Sequence, residues 1–221
     1  GLHFVRACLG FGSIGLFFWG IQLMPLAEAT AISFTGPLFT TALSVPMLGE
    51  RVGPRRWAAV AIGFLGALVV VRPGTEAFRP EALIIIASAV VYALSLTLTR
   101  RMASTETNVA MFTYTTIVAG IISTPFLMLG WVTPTLPHLA AFSGFGIIEG
   151  SCSFLLIIAY RHAPAAVAAL FDYTAIIWAT LFGWILWSEQ VEPMVWIGAA
   201  IIAVSGVYIA RREAFHKKTE E

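Results

Sequence analysis

Residues 164–211 read PAAVAALFDYTAIIWATLFGWILWSEQVEPMVWIGAAIIAVSGVYIAR, and the same pattern occurs earlier in the chain. Shifted by 139 residues, this stretch aligns with residues 25–72. Identical residues then stand at matching places: Pro25 with Pro164, Ala29 with Ala168, Thr35 with Thr174, Glu50 with Glu189, Val52 with Val191, Pro54 with Pro193, Trp57 with Trp196 and Arg72 with Arg211. A repeat at a fixed offset indicates a duplicated structural unit.

The composition indicates a membrane protein. Of 221 residues, 58% are hydrophobic and only 11% are charged, whereas about a quarter of the residues in a soluble domain are charged. A membrane-spanning helix needs about 20 apolar residues. The sequence predicts an all-α polytopic protein with eight spans, at residues 7–24, 27–48, 54–72, 81–99, 108–130, 137–160, 164–187 and 193–210.

The basic residues predict the orientation of these spans. If the amino terminus is cytoplasmic and every span crosses, eleven of the thirteen Lys and Arg residues lie on the cytoplasmic side. Only Arg72 and Arg79 lie outside. An excess of Lys and Arg in short cytoplasmic loops sets the topology of membrane proteins. We therefore expect a multi-pass membrane protein with both termini in the cytoplasm.

The repeat also predicts inverted topology. Three further spans precede the second copy, whereas one span precedes the first, so we expect ten helices in a complete protein, of which the first two are missing here. Five spans per copy place the copies in opposite orientations, as in carriers that work by alternating access. Residues 1–74 then hold the last three helices of the first repeat, residues 80–212 the second repeat, and residues 213–221 a cytoplasmic tail.

Two carboxyl groups lie deep inside predicted spans. Asp172 lies eight residues into one span, and Glu149 lies near the middle of another. Ionisable groups at such depth are costly and are often functional. Burial favours the protonated carboxyl group, which suits proton exchange in a coupled carrier. In the alternative interpretation, either group is hydrogen-bonded to a neighbouring helix and only stabilises the bundle.

Aromatic and hydroxyl side chains accompany Asp172 and recur at matching positions of the first copy. A small-molecule site usually combines apolar and aromatic walls with a few polar groups. We therefore expect a cavity between the copies. Its candidate substrate-contacting residues, besides the two carboxyl groups, are Phe34, Thr35, Tyr114, Tyr173, Thr174 and Trp178.

Pro37 interrupts the backbone hydrogen bonding of its span and predicts a kink there. It is a candidate hinge, with structural packing as the alternative. Its counterpart in the second copy is Ile176. The sequence therefore predicts that the two copies bend differently.

Three glutamates lie near the ends of predicted spans. Glu50 and Glu189 occupy matching turns, where we expect a structural role, either capping the following helix or pairing with Arg. Glu28 lies only one or two residues into its span and is expected to reach water, in a vestibule or on the surface.

Other classes of function find little support. Cys8 and Cys152 lack metal-ligand spacing, so we expect neither a metal nor a cofactor. A single Asp does not supply the paired aspartates of an intramembrane protease, and no His lies in mid-span to serve a nucleophilic Ser. The net charge of +1 does not indicate nucleic acid as a partner.

Four strings carry a resemblance to a known family: PLAEATAISFTGPL at 25–38, LGERV at 48–52, FDYT at 171–174 and WIGAAII at 196–202. They resemble the EamA-type repeats of the drug/metabolite transporter superfamily. The resemblance implies ten helices in two inverted halves around a central cavity. Substrates in that superfamily range from amino acids and vitamins to nucleotide-like metabolites and drugs.

The sequence thus predicts a secondary transporter of a small organic metabolite or drug. The expected partners are the substrate and the lipid bilayer, with proton coupling through Asp172 and Glu149 as an option. Uptake and export are not distinguished. The alternative is a non-transporting membrane subunit that binds a sibling chain, and a homodimer is a further option for assembly.

Overall fold

The computed structural model describes residues 1–49, 52–75, 78–102, 108–128, 132–162 and 174–220. These ranges form helices joined by short connections, and no strand occurs within them. The helices are α1 (Leu2–Gly20), α2 (Leu26–Ser33), α3 (Gly36–Leu48), α4 (Pro54–Val71), α5 (Ala82–Met102), α6 (Asn108–Met128), α7 (Leu136–His162), α8 (Ala175–Trp187) and α9 (Pro193–Glu220).

Seven of the predicted membrane spans coincide with these helices, and α8 covers the described part of the span at 164–187. In the described part of the chain, four helices are long and apolar enough to cross a membrane: α1, α2 with α3 as Leu26–Leu48, α4 and α5. Shorter apolar helical segments are Thr116–Pro125, Ala175–Trp187 and Pro193–Ile209. The predicted all-α polytopic fold is confirmed. Helix α9 differs in one respect, since it continues through the predicted tail to Glu220.

A break separates α2 from α3 inside one membrane span. Phe34 and Thr35 lie between the two helices, and Pro37 is the second residue of α3. Proline is well tolerated there because the first N–H groups of a helix have no partner within it. The kink predicted at Pro37 therefore occurs as a helix interruption two residues earlier.

The second copy starts a helix at the matching residue without a proline. Thr174 is the N-cap residue of α8. Helix α8 has 13 residues, as α3 does, and the two helices start and end at matching repeat positions. Both helices also end alike, with a left-handed residue at Gly49 (φ 70°) and Ser188 (φ 55°). The expectation that the two copies bend differently stays a prediction, because residues 163–173, which precede α8, lie outside the described residues. Pro37 is compatible with that start but is not required for it.

The fourth and ninth helices form the closest contact between the copies. A Cβ atom on Gly66 would lie 2.9 Å from the Gly198 carbonyl oxygen, and one on Gly198 would lie 2.6 Å from the Gly66 carbonyl oxygen. Small residues of this kind let membrane helices pack backbone to backbone. Further along the same contact, the Ser205 hydroxyl donates a hydrogen bond to the Ala59 carbonyl oxygen.

These contacts are reciprocal in the repeat numbering. Adding the 139-residue offset converts Gly66 into Ser205 and Ala59 into Gly198. The pair formed by Gly66 and Gly198 is therefore equivalent to the pair formed by Ser205 and Ala59. Since α4 and α9 are antiparallel, the contact has the two-fold character that inverted repeats predict.

Candidate functional site

The two repeat-related helix starts lie beside one hydrophobic cluster. Phe34, at the end of α2, and Ile176, at the start of α8, pack against the same hydrophobic cluster, which includes Ile32, Ile85 and Ile202. Helix α2 has eight residues and is about 12 Å long. The break therefore lies near the middle of a hydrocarbon core about 30 Å thick.

Thr35 is buried at this break and stabilises it locally. Its side chain is 1% exposed, and its hydroxyl donates to the Ile32 carbonyl oxygen over 2.7 Å. The same carbonyl oxygen also accepts the backbone N–H of Thr35 over 3.0 Å, so Thr35 holds the end of α2 through two hydrogen bonds. Phe34 beside it is half-buried. Thr35 therefore has a hydrogen-bonding role at the end of α2. Phe34 lies between the two copies.

The remaining described candidates lie on exposed faces. Trp178 is 54% exposed and stacks on Phe182 of the same helix, with ring centroids 6.2 Å apart. Tyr114 of α6 stacks on His3 of α1, with centroids 4.7 Å apart, a contact that the sequence did not predict. The other exposed candidates are Glu149 and Thr174. The predicted roles of Asp172, Tyr173 and Glu50 concern positions outside the described residues and stay predictions.

An ion pair joins the copies at one end of the bundle, which we call the Arg72 end. The Arg72 guanidinium lies 2.5 Å from the Glu192 carboxylate, between the end of α4 and the start of α9. Arg72 itself ends α4 in a left-handed conformation, with φ 50°. The hydrogen bond and the charge of Arg72 lower the pKa of the exposed Glu192 carboxyl group.

Glu189 forms a second link between the copies at the Arg72 end. Its carboxylate accepts a hydrogen bond from the backbone N–H of Leu26 over 3.0 Å. A negative charge is favourable at a helix amino terminus, where the first N–H groups lack partners. The sequence predicts that Glu189 caps the helix that follows it or pairs with Arg. In the structure Glu189 instead caps α2, a helix of the other copy.

Gly183 makes room for this carboxylate. A Cβ atom at that position would lie 2.6 Å from the Glu189 carboxylate oxygen. The left-handed Ser188 turns the chain, and the Glu189 N–H donates to the Gly183 carbonyl oxygen over 3.1 Å. The end of α8 is therefore shaped so that Glu189 reaches α2.

Glu28 is buried at the same end, contrary to the expectation that it reaches water. It is 7% exposed, and its carboxylate lies 3.8 Å from the guanidinium of Arg79. Arg79 and Arg72 are the two basic residues that the charge analysis placed apart from the others. We call Glu28, Arg72, Arg79, Glu189 and Glu192 the ionic cluster, and it lies beside the hydrophobic cluster described above.

Polar side chains also connect α1 with α5, a contact that the sequence analysis missed. The Ser88 hydroxyl donates to the Ser13 carbonyl oxygen over 2.8 Å, and Ser95 donates to the Arg6 carbonyl oxygen over 3.2 Å. The Arg6 guanidinium donates to Thr99 over 3.3 Å. Residues spaced by seven and four lie on one helix face, so this spacing in an apolar span was the available signal.

The described residues contain no group of three or more His, Cys, Asp or Glu side chains arranged to hold a metal ion. The described arrangement supplies one interrupted helix pair, α2 and α3, with aromatic surface beside the break and charged links at the Arg72 end.

The family of the chain follows from comparison with known proteins. The model of the EamA-like transporter family matches residues 2–72 and 79–211. This chain belongs to that family. The predicted resemblance is confirmed, and the family consists of transporters, not enzymes.

Several curated relatives of this EamA-like chain are named as metabolite carriers. It is 29% identical to an S-adenosylmethionine uptake transporter of Rickettsia bellii, over 98% of this chain and 75% of the relative. It is 30% identical to a riboflavin transporter of Rhizobium johnstonii, over 96% and 70% respectively. A pseudopaline exporter of Pseudomonas aeruginosa is 25% identical, over 94% and 74%.

A solved structure supports the same fold. One crystal structure has a TM-score of 0.60 and 25% sequence identity, covering 96% of this chain and 77% of the other. Together with the family match, the relatives favour a small-metabolite transporter over a non-transporting subunit. A small-molecule substrate and membrane lipid are therefore the partners that follow from membership of the family.

Proposed function

We propose that this EamA-like chain moves a small organic metabolite across the bacterial inner membrane by alternating access. The observation that carries the proposal is the reciprocal packing of α4 on α9, which relates two antiparallel copies about their contact. Such copies can rock about a shared axis and expose a central site to each side in turn.

The Arg72 end is proposed to face outward, with both termini in the cytoplasm. The support is the distribution of charge, since most Lys and Arg residues fall on the opposite side. Under this orientation the ionic cluster and the hydrophobic cluster beneath it close the outer side. The conformation described above then corresponds to a carrier that is closed to the exterior.

The substrate is proposed to be a polar metabolite with a flat ring. The relatives named for S-adenosylmethionine and riboflavin carry compounds with heteroaromatic rings, and aromatic side chains stack on such rings. Phe34 and Trp178 are the described candidates for this contact. Tyr173, the repeat counterpart of Phe34, is proposed as a further candidate, with Tyr114 and Thr174 as wall residues. The direction of transport differs among the relatives, which include importers and an exporter.

Asp172 and Glu149 are proposed to bind the substrate or the coupling proton, and Pro37 to act as a hinge at the start of α3. The proposal rests on the predicted depth of the two carboxyl groups in their spans. Glu50 and Glu189 are proposed as structural turns. A homodimer or a sibling subunit remains a further proposal for assembly.

The test is transport by the purified full-length protein in proteoliposomes with an imposed pH gradient. Radiolabelled flavins, adenosyl compounds and amino acids are offered to wild type, Asp172→Asn and the control Glu81→Gln. We expect gradient-driven flux of one compound that Asp172→Asn abolishes and Glu81→Gln retains. Wild-type flux in Asp172→Asn at every pH would remove Asp172 from the mechanism. No flux of any compound by inserted wild type would overturn the transporter proposal.

A further inference from the structure

A groove runs along the outside of the contact between α4 and α9. Its volume is about 340 Å³, and it lies toward the end where α4 begins. One basic side chain, one aromatic side chain and several apolar or small residues line it: Arg55, Ala58, Ala59, Ile62, Val204, Ser205 and Tyr208.

The groove exists because its floor consists of small residues and its walls of larger ones. Ala59 and Ser205 hold the two backbones together through their hydrogen bond. Ile62 and Val204 stand beside this seam and are 52% and 71% exposed. The hydroxyl of Ser205 is engaged by a carbonyl group, so the floor behaves as an apolar surface.

The groove changes character at its Arg55 end. Arg55 lies in the first turn of α4 and is exposed, and Tyr208 beside it is 43% exposed. Arg and Tyr at the ends of membrane helices place their polar groups at the headgroup level while their apolar parts stay in the hydrocarbon. The groove thus leads from the headgroup region into the acyl-chain region.

We propose that this groove binds one acyl chain of an anionic phospholipid, whose phosphate group pairs with the Arg55 guanidinium. The apolar length of the groove faces the lipid and fits a hydrocarbon chain. Arg55, the one charged residue among the lining residues, supplies the complement to an anionic headgroup, since guanidinium groups bind phosphate oxygens in a bidentate manner. Basic pockets between membrane helices recognise anionic lipids in this way. This site does not depend on the proposed transport function.

The experiment uses the full chain purified in mild detergent. Phosphatidylglycerol and phosphatidylcholine with identical acyl chains are titrated, and lipid binding is measured by native mass spectrometry and by the shift in thermal unfolding. Arg55→Gln removes the charge, and Val204→Trp fills the groove. Arg100→Gln is the matched control, because Arg100 is an exposed basic residue that does not line the groove. Ala58→Phe is a second groove-filling variant in case Val204→Trp does not fold.

We expect tighter binding of phosphatidylglycerol than of phosphatidylcholine. Arg55→Gln should weaken the phosphatidylglycerol complex about fivefold, Arg100→Gln should leave it unchanged, and the filled groove should weaken both lipids. Equal losses in Arg55→Gln and Arg100→Gln would overturn the proposal in favour of diffuse surface charge. Equal affinity for the two lipids would refute the phosphate contact. A dimer that Val204→Trp or Ala58→Phe dissociates would show that a second copy of the chain occupies the groove instead.

Discussion

The guanidinium of Arg72 lies 2.5 Å from the carboxylate of Glu192, an ion pair that joins the end of α4 to the start of α9. In the repeat numbering, Arg72 corresponds to Arg211, but Glu192 corresponds to Gly53, which has no side chain to pair with. The copies are thus linked by charge at the Arg72 end through a pair that their symmetry does not duplicate.

Removing the ion pair should open the Arg72 end. In a variant without Cys8 and Cys152, Ala29→Cys places a reporter thiol at a fully buried position of α2. We expect Arg72→Gln to raise the rate at which a membrane-impermeant maleimide labels this thiol. The increase should be no more than about fivefold, because exposed ion pairs are weak. The charge-swapped pair Arg72→Glu with Glu192→Arg should restore slow labelling.

Val132→Cys provides the labelling control, because Val132 is 81% exposed and should react equally in all backgrounds. Equal labelling of Ala29→Cys with and without Arg72 would refute the role of the ion pair in closure. This measurement needs no substrate, so it tests closure separately from transport.

The ion pair should also depend on pH. Arg72 lowers the pKa of Glu192 through a hydrogen bond and through its charge. A lowered pKa contributes stability above the unfolded value of about 4.5, and this contribution is lost as the pH falls through the lower folded value. Arg79, Glu28 and Glu189 are the other charged groups of the same ionic cluster.

Labelling of Ala29→Cys between neutral pH and pH 3, corrected for thiolate reactivity with Val132→Cys, measures this dependence. We expect labelling to accelerate only at the acidic end of the range. We expect Glu192→Gln to remove this acid-induced acceleration. An identical acid response in Glu192→Gln would assign it to the other carboxylates of the cluster.

The contact of Gly66 with Gly198 should not tolerate a larger residue. In Gly66→Ala the new Cβ atom meets a backbone carbonyl oxygen at 2.9 Å, so α4 and α9 must separate. We expect a loss of about 1–3 kcal/mol, as for other overpacked sites, measured by thermal unfolding in detergent. Gly12→Ala is the control, because nothing lies within 4 Å of its Cβ position. Equal stability of the two variants would contradict the close crossing.

Gly183 and Glu189 should act as one unit. In Gly183→Ala the Cβ atom meets a flexible carboxylate, so the side chain of Glu189 moves away from Leu26 and the cap of α2 is lost. We expect Gly183→Ala and Glu189→Ala each to cost about 0.5–2 kcal/mol. The double variant should cost no more than either single one, because residues that share one interaction are not additive. Additive losses in thermal unfolding would show that the two residues act independently.

The amino-acid sequence alone predicts the membrane class, the positions of the helices and the family. These properties depend on apolar length and on a repeat at a fixed offset, both of which are local or periodic features. The matching starts of α3 and α8 follow from the same repeat, since Thr35 and Thr174 occupy equivalent positions. Pro37 predicts a kink in the correct span, although the break itself lies two residues earlier.

Which charged groups contact each other depends on the tertiary structure. Glu189 caps a helix that begins 163 residues earlier, and Arg72 pairs with a residue 120 positions away. Glu28 was expected to reach water because it lies near the end of its span, but packing of the second copy buries it. Periodicity determines which face of a helix is apolar. It does not determine which faces of two distant helices come together, because that depends on the packing of the whole bundle.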